Sequence, residues 1–157
     1  MSLAIRNAAP DDCSTLVAFN QALARTTEGK DLDGERLARG VARVLADPIR
    51  GRYFVADWDG LPVGCLMVTR EWSDWRDAWF WWIQSVFVAD DVRRRGVYRA
   101  LHQHVLHLAR GAGDVCGLRL YVERDNRTAQ ATYKSLGMGP GSYELYEVDF
   151  GSETDSA

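Results

Sequence analysis

The spacing of apolar residues divides the chain into alternating helix and strand segments. Apolar positions at helical spacing predict one helix after Pro10, a second that ends before Pro48, a third after Gly96 and a short fourth from about Asn126. Runs of β-branched and aromatic residues predict the strands. These strand segments are residues 3–7, Tyr53–Trp58, Pro62–Thr69, Ala78–Val88, Leu118–Val122 and Tyr143–Phe150. The resulting order is β-α-α-β-β-β-α-β-α-β.

Turn residues and segment order indicate how the strands connect. Asp59 and Gly60 form a strong hairpin signal, and the polar run E-W-S-D-W-R-D at 71–77 predicts a second turn. The long apolar segment Ala78–Val88 is typical of a central strand. Because hairpins come first and a β-α-β unit follows, we expect an α/β fold (α+β mixed) with a mixed sheet.

Length and composition are those of one ordinary globular domain. The chain has 157 residues, of which 46% are hydrophobic and 26% are charged. A domain of this size buries most of its unfolded surface without cross-links. We therefore expect a single domain over residues 1–150. Residues 151–157 are polar and acidic, which predicts a disordered tail.

Charge and cysteine content exclude several classes of protein. The formal net charge of -3 argues against nucleic acid or an anionic membrane as a partner, and no apolar run reaches the roughly 18 residues of a membrane span. The three cysteines are widely spaced and form no C-x-x-C motif. His102, His104 and His107 lie on one predicted helix without an acidic ligand, so we expect no metal site. These features predict a reduced, cytoplasmic protein.

The clearest chemical signal is a basic loop between a strand and a helix. Arg93, Arg94, Arg95 and Gly96 follow the strand that ends near Val88 and lead into the third helix. The first turn of a helix presents unpaired N–H groups and the positive end of the dipole. This pattern predicts a diphosphate site, and a solvated basic turn is the alternative. The missing G-K-[ST] and G-x-G-x-x-G patterns argue against a P-loop or dinucleotide site.

Two segments resemble motifs of the GNAT superfamily of acetyl-coenzyme A-dependent N-acetyltransferases. The segment W-I-Q-S-V-F-V-A-D-D-V-R-R-R-G-V-Y-R-A-L resembles motif A, Q/R-x-x-G-x-G/A, with Arg93, Gly96 and Tyr98 on its positions. The segment V-E-R-D-N-R-T-A-Q-A-T-Y-K-S-L-G-M resembles motif B, N-x-x-A-x-x-x-Y-x-x-x-G-[FM]. Its positions fall on Asn126, Ala129, Tyr133, Gly137 and Met138. The two motifs follow in the family's order, and the resemblance covers residues 3–150.

The resemblance implies a GNAT-like fold and acetyl-coenzyme A as co-substrate. A mostly antiparallel sheet of about six to seven strands would splay between the fourth and fifth strands, flanked by about four helices, with the pantetheine arm in the gap. A backbone N–H at Val86 or Phe87 would face the thioester carbonyl, and Tyr133 would protonate the leaving thiolate. The implied cofactor-binding residues are Val86, Phe87, Val88, Arg93, Arg94, Arg95, Gly96, Val97, Tyr98, Arg99, Asn126 and Tyr133.

Two positions depart from the family pattern. Tyr98 stands where the family usually has Gly or Ala, so its ring must point away from the pyrophosphate or narrow its site. Gln84 stands on the fourth strand where a Glu commonly helps to deprotonate the amine. Because Gln cannot accept a proton, Glu28 and Glu71 become candidate catalytic bases, with Glu123 and a water chain as alternatives. Each carboxylate also fits a solvated loop position.

The resemblance implies direct transfer of an acetyl group to a primary amine, carried by a small molecule or a peptide. The rival interpretation is a coenzyme A-binding GNAT-like module without transferase activity, which Gln84 favours and Tyr133 opposes. Acidic residues in the predicted acceptor loops favour a cationic amine. Five of the 6 Trp fall in the segment from Trp72 to Trp82. This hairpin is consistent with an amine pocket, a homodimer contact or cross-strand packing.

Overall fold

The computed structural model of the chain describes residues 2–151. Its strands are β1 (Leu3–Asn7), β2 (Arg52–Trp58), β3 (Leu61–Ser73), β4 (Ala78–Val88) and β5 (Val115–Leu120), and its helices are α1 (Cys13–Glu28), α2 (Gly34–Ala46), α3 (Val97–Gly111) and α4 (Arg127–Ser135). The chain forms two compact units, Met1–Tyr121 and Val122–Ala157. None of the helices in the described part is long and apolar enough to cross a membrane.

The first unit contains a five-stranded sheet whose order follows the chain, β1-β2-β3-β4-β5. Neighbouring strands from β1 to β4 are antiparallel, and β4 and β5 are parallel, with α3 between them in sequence. The expectation of a mixed, mostly antiparallel sheet is confirmed. The expectation of six to seven strands is wrong, because residues 2–151 form five.

The two hairpins of the sheet differ in how well the sequence predicted them. Asp59 and Gly60 adopt left-handed φ values of 50° and 82°, as a tight two-residue turn requires. The second turn is shorter than predicted, because β3 continues to Ser73. Trp72 lies opposite Trp79, and their rings meet edge to face at 4.9 Å. This aromatic cross-strand pair stabilises strand conformation where polar residues had suggested a turn.

Helices cover both faces of the sheet with apolar side chains. On one face, Leu16 of α1 and Val41 of α2 pack with Tyr53 and Val55 of β2. On the other face, α3 packs against the sheet. The buried residues there are Phe54, Ala56, Leu66, Val68, Trp81, Ile83, Val92, Val97, Leu101, Val105 and Ala109. This three-layer packing buries the centre of the sheet, where β3 is the middle strand and β4 lies beside it.

The fifth strand begins earlier than its apolar run suggested. It spans Val115–Leu120 rather than Leu118–Val122. Its pairing with β4 starts where Val115 lies beside Trp79. The partner strand, rather than local hydrophobicity, therefore sets the bounds of β5.

The second unit consists of α4 and the chain that follows it. Asn126 caps the helix by accepting a hydrogen bond from the Ala129 N–H at 3.1 Å, and Gly137 ends it with a φ of 88°. The predicted strand Tyr143–Phe150 is wrong, since this segment has no strand conformation and exposes its apolar side chains. A strand needs a partner for its backbone groups, and the described part of this unit contains no second strand. Residues 152–157 of the predicted tail lie outside the described residues, and the single-domain expectation stays a prediction.

An ion network ties β1 to the start of α1. Arg6 donates to Asp12 at 2.8 and 2.9 Å and to Asp57 at 2.6 Å. The hydrogen bonds from Arg6 hold the pKa of Asp12 below its usual range. A carboxyl group with a lowered folded pKa stabilises the fold above its unfolded pKa, near about 4, and loses that contribution as pH falls through the folded value.

Replacing Asp12 should therefore have an effect that depends on pH. We expect Asp12→Asn to lower the free energy of unfolding by about 1–2 kcal/mol at neutral pH, a value that allows for the solvent exposure of Arg6. Urea unfolding at about pH 7 and about pH 3 measures the change, and the difference from wild type should shrink at the lower pH. An equal loss at both pH values would contradict a role for the Asp12 charge.

Candidate functional site

The parallel pair β4 and β5 is joined along only part of β4. The last paired residues are Ile83 and Leu120, whereas β4 continues to pair with β3 as far as Val88. Residues 84–88, termed the open edge, are therefore not covered by β5. Backbone N–H and C=O groups on such an edge can pair with an extended ligand. The predicted opening between the fourth and fifth strands begins here.

A β-bulge interrupts β4 within the open edge. Gln84 lies opposite Met67 and Phe87 lies opposite Cys65, so β4 has one residue more than β3 between these pairs. Ser85 has a left-handed φ of 52°, which costs a residue with a side chain roughly 1–2 kcal/mol. Such strain persists only where the surroundings fix it. Sequence reasoning missed the bulge because Ser carries no signal for a left-handed position.

The loop after β4 has a backbone that suits an anion. Arg94 and Gly96 have φ values of 63° and 82°, and Gly96 directly precedes α3. The first helical hydrogen bond runs from the Ala100 N–H to the Gly96 carbonyl, so the N–H groups of the first turn face out from the helix end. Left-handed residues beside a helix N-terminus form a concave site of backbone N–H groups. Residues 93–96 are termed the arginine loop.

The guanidinium groups of the arginine loop point in different directions. Arg93 donates to the Asp90 carboxylate at 2.9 Å, and Arg95 lies over the Trp58 ring at 5.9 Å. Arg94 is exposed. The sequence placed all three as counter-charges for a phosphate, but two of them have partners in the protein. An anion at the loop would therefore meet backbone N–H groups before these side chains.

The ring of Tyr98 lies along α3, beside the core. Its hydroxyl is 3.4 Å from Nδ1 of His102, and the two ring centroids are 5.8 Å apart. His102 is buried, and burial lowers its pKa. The ring therefore packs along the helix and leaves the first turn of α3 accessible.

In the second unit, the two motif B residues with polar side chains are Asn126, which caps α4, and Tyr133, which lies within it. Asn126 and Tyr133 are seven positions apart, about two helical turns, and so lie on one side of the helix. Tyr133 is half-buried, and burial raises the pKa of its hydroxyl. A tyrosine with a raised pKa is protonated at neutral pH and can donate a proton.

Polar side chains of β3 and β5 lie beside one face of β4, on the side where Gln84 stands at the open edge. Oε1 of Glu71 accepts hydrogen bonds from Arg119 at 2.7 Å and from Trp82 at 3.3 Å. Further along the same face, the Gln84 amide donates to Thr69 at 2.6 Å. The opposite face of β4 packs into the apolar core under α3. A polar substrate would therefore approach the open edge from the side that carries Glu71 and Gln84.

The carboxylates between α1 and α2 mostly have local partners. Glu28, the last residue of α1, lies 3.8 Å from Lys30. Asp31 pairs with Arg25 at 2.7 Å, and Asp33 caps α2. These contacts offset much of the negative charge that had favoured a cationic amine.

The tryptophans of the hairpin differ in burial: some pack against the core, and others lie at the surface. Trp81 is buried and Trp79 packs against the same core, which confirms the packing interpretation for these two. Trp82 lies on the other face and stacks on Tyr121 at 4.5 Å. Trp75 is 91% exposed at the turn. A homodimer contact at this hairpin stays a prediction.

The structure also shows whether side chains are placed to bind a metal ion or to act as a nucleophile. Among residues 2–151, no group of three or more His, Cys, Asp and Glu side chains is arranged to hold a metal ion. Cys65 is buried, and burial raises the pKa of its thiol to about 12. Because a thiol reacts as its thiolate, this buried residue is not suited to carry a covalent acetyl group.

Comparison with models of protein families gives a match over most of the chain. Residues 17–138 match the model of the acetyltransferase (GNAT) family. No curated protein matches the sequence.

Solved structures show the same fold. A possible acetyltransferase from Clostridium difficile 630 is 40% identical, with a TM-score of 0.90 over 97% of this chain and 100% of that one. A ribosomal-protein-alanine N-acetyltransferase from Brucella melitensis is 16% identical, with a TM-score of 0.78 over 96% of this chain and 100% of that one. A predicted acetyltransferase from Clostridium acetobutylicum, solved with acetyl-CoA, is 14% identical, with a TM-score of 0.75 over 94% and 96% of the two chains. The last two show likeness of fold alone.

Proposed function

Because the chain belongs to the GNAT acetyltransferase family, we propose that it transfers an acetyl group from acetyl-coenzyme A to a primary amine by direct attack in a ternary complex. One observation carries the proposal: the open edge of β4 is followed, after one short 3-10 turn at Asp90–Val92, by the arginine loop. An extended amide-containing arm suits a strand edge, and a pyrophosphate suits a concave group of N–H donors at a helix N-terminus.

The residues that would hold acetyl-coenzyme A follow from these two features and from motif B. Backbone groups of Val86, Phe87 and Val88 would pair with the pantetheine amides. The arginine loop and first turn of α3 would hold the pyrophosphate, and Asn126 would hold the pantetheine or a phosphate. The residues proposed for the pyrophosphate are Arg93, Arg94, Arg95, Gly96, Val97, Tyr98 and Arg99.

The proposed reaction assigns a protein group to each place where charge develops. The amine nitrogen attacks the thioester carbonyl carbon, so that a C–N bond forms, the C–S bond breaks and the carbonyl oxygen transiently gains negative charge. A backbone N–H at Val86 or Phe87 would stabilise that charge, and such a donor typically contributes about 10²–10³ in rate. The sulfur leaves as a thiolate, which Tyr133 would protonate. The amine's proton would pass to a base.

Glu28 and Glu71 are the proposed candidates for that base, and their contacts differ. Two hydrogen bonds already engage Oε1 of Glu71, so this oxygen is less accessible to an incoming amine than a carboxylate without such contacts. We therefore expect Glu28→Gln to lower kcat/KM for the amine by about 10²-fold and Glu71→Gln to lower it less. The acidic limb of the pH profile should disappear in the affected variant, and its residual rate should rise with pH as the amine loses its proton.

The neighbouring variant Asp31→Asn is the matched control for Glu28→Gln, because it removes a carboxylate only three positions further along the chain. It should keep the wild-type pH profile. Wild-type profiles in both Glu28→Gln and Glu71→Gln would show that neither carboxylate is the base. The amine's proton would then pass to a water chain, or the amine would bind in its neutral form and need no carboxylate.

A coenzyme A-binding module without transferase activity is the second candidate function. Gln84 favours it, because this amide donates to Thr69 where the family commonly has a carboxylate. Tyr133 opposes it, because a module that only binds has no use for a thiolate acid. Thiol release measured with a panel of primary amines separates the two functions. Acetyl-coenzyme A binding without turnover on any amine would support the module.

The charge of the segment between α1 and α2 bears on the class of amine that the protein accepts. We propose a small-molecule amine in preference to a peptide amine, since the acidic residues beside α1 have local partners and offer no extended acidic groove. A cytoplasmic location and a homodimer stay predictions.

A further inference from the structure

Two aromatic side chains lie beside the point where β4 and β5 part. Trp82 and Tyr121, termed the aromatic pair, stack with their ring centroids 4.5 Å apart and an angle of 28° between the ring planes. Tyr121 directly follows Leu120, the last residue of β5 that pairs with β4. Trp82 and Gln84 are two positions apart on β4 and so share one face of the sheet. The aromatic pair therefore lies next to the start of the open edge.

Neighbouring side chains fix the indole ring of Trp82. Its ring N–H donates to Oε1 of Glu71 at 3.3 Å, and the same oxygen accepts a hydrogen bond from Arg119 at 2.7 Å. The Arg119 guanidinium in turn lies 3.5 Å from the centre of the Phe80 ring, and Phe80 is buried. Hydrogen bonding and stacking together hold the indole in place before any ligand binds. A ligand that stacks there loses less affinity to the ordering of protein side chains.

The charged groups around the aromatic pair already include more positive than negative charge. The side chains in contact with the Phe80 and Trp82 rings are one carboxylate, Glu71, and the guanidinium groups of Arg119 and Arg76. Glu71 is paired with Arg119. A second ammonium group on an acceptor would therefore be repelled at this surface. The surface suits an uncharged ring in preference to a second cation.

The aromatic pair is also accessible and lies at the reacting end of the proposed cofactor site. Tyr121 is 58% exposed, so stacking on Trp82 leaves much of its ring open to a ligand. With the pyrophosphate at the arginine loop, beyond Val88, the thioester end of the extended arm would lie toward Gln84. Gln84 is about 7 Å along the strand from Trp82. The two-carbon chain that joins ring and amine in 2-phenylethylamine spans a distance of this kind.

We propose that Trp82 and Tyr121 form a subsite for an aromatic ring on the acceptor, so that the preferred acceptors are arylalkylamines. Glu71 and Arg119 act on this subsite as positioning residues, because they hold the indole of Trp82. The inference rests on the proposed function and names the class of acceptor at that same site.

The test compares three primary amines at saturating acetyl-coenzyme A. For the wild-type protein, kcat/KM for 2-phenylethylamine should exceed that for n-butylamine by at least about 10-fold, and 1,4-diaminobutane should be the poorest acceptor. Tyr121→Leu should lower kcat/KM for 2-phenylethylamine by about 3- to 10-fold and leave n-butylamine nearly unchanged. Trp82→Leu should remove most of the preference for the ring. The ratio between two amines, compared across variants, cancels any difference in their basicity.

Trp75→Leu is the matched control, because it removes a 91% exposed tryptophan from the same hairpin. It should keep the wild-type ratio. A loss of packing alone lowers kcat/KM for both amines in proportion and leaves their ratio unchanged. If Trp82→Leu does not fold, Tyr121→Leu decides, since its side chain is largely at the surface.

Three results would overturn the inference: no preference of the wild-type protein for 2-phenylethylamine over n-butylamine, a ratio that is unchanged in Tyr121→Leu, or a preference for 1,4-diaminobutane. Absence of thiol release with every amine would count against the proposed function instead. In that case the indole N–H resonance of Trp82 decides. It should shift when 2-phenylethylamine is added and stay in place with n-butylamine, and equal behaviour with both amines would also overturn the inference.

Discussion

Gly96→Asp is expected to abolish most binding of acetyl-coenzyme A. A Cβ at Gly96 would meet no atom within 4 Å, so the fold has room for the new side chain. The added carboxylate would stand where the pyrophosphate is proposed to bind. Two such charges about 4 Å apart repel by several kcal/mol near a protein surface. Calorimetry should show affinity weakened by at least about 100-fold.

Two control variants separate charge from backbone conformation. Gly96→Asn has the size of Asp without its charge and tolerates a left-handed φ, so it should lose much less affinity. Gly113→Asp lies beyond the other end of α3, also has a left-handed φ and open space around its Cβ, and should bind like wild type. Wild-type affinity in folded Gly96→Asp would remove the arginine loop from the cofactor site.

Tyr133→Phe is expected to lower kcat by about 10²–10⁴, the usual range for loss of a general acid. The change removes one hydroxyl and little volume. Affinity for acetyl-coenzyme A should stay near wild type, because the hydroxyl is proposed to act on the sulfur only as the C–S bond breaks. Steady-state kinetics and calorimetry on the same preparation measure both quantities.

Tyr143→Phe is the matched control for this experiment. It removes the same group from an 80% exposed tyrosine of the same unit, so kcat should not change. If Tyr133→Phe also keeps the wild-type kcat, Tyr133 serves packing alone and the thiolate takes its proton from water.

The apolar pattern predicted the elements whose stability comes from their own buried face. The spacing of Val97, Leu101 and Val105 predicted α3, and all three are buried on it. The long, mostly apolar run of β4 predicted a strand, and its bounds were predicted correctly. In both cases the information lies within one segment of the sequence.

Features that depend on a distant partner were not predicted. Residues 143–150 have the alternation of a strand, but alternation specifies side-chain faces and not a pairing partner. The bulge at Ser85 is in contact with a neighbouring strand, where the Cys65 thiol donates to the Ser85 carbonyl at 3.6 Å. Nothing in the residues around Ser85 indicates a left-handed conformation.

For the candidate site too, the sequence predicted where residues lie but not which contacts they make. The position of the arginine loop followed from the order of strand, basic residues, glycine and helix. The directions of its side chains did not follow, because Arg95 lies over Trp58 of β2. Glu71 was predicted as a candidate base with a solvated loop position as the alternative, and neither predicts that Arg119, 48 positions later, holds its carboxylate. Local sequence therefore located the site, and tertiary contacts determine which of its groups are available.

Direct acetyl transfer from acetyl-coenzyme A to an amine has a stoichiometry that can be measured. Wild-type protein is incubated with acetyl-coenzyme A and a panel of primary amines, while thiol release, acetylated amine and the mass of the intact protein are followed together. Direct transfer should give one equivalent of acetylated amine for each thiol released, with the mass of the protein unchanged throughout. Thiol release without acetylated amine, an acetyl group retained on the protein as an intermediate, or acetyl-coenzyme A binding with no turnover on any amine would contradict it.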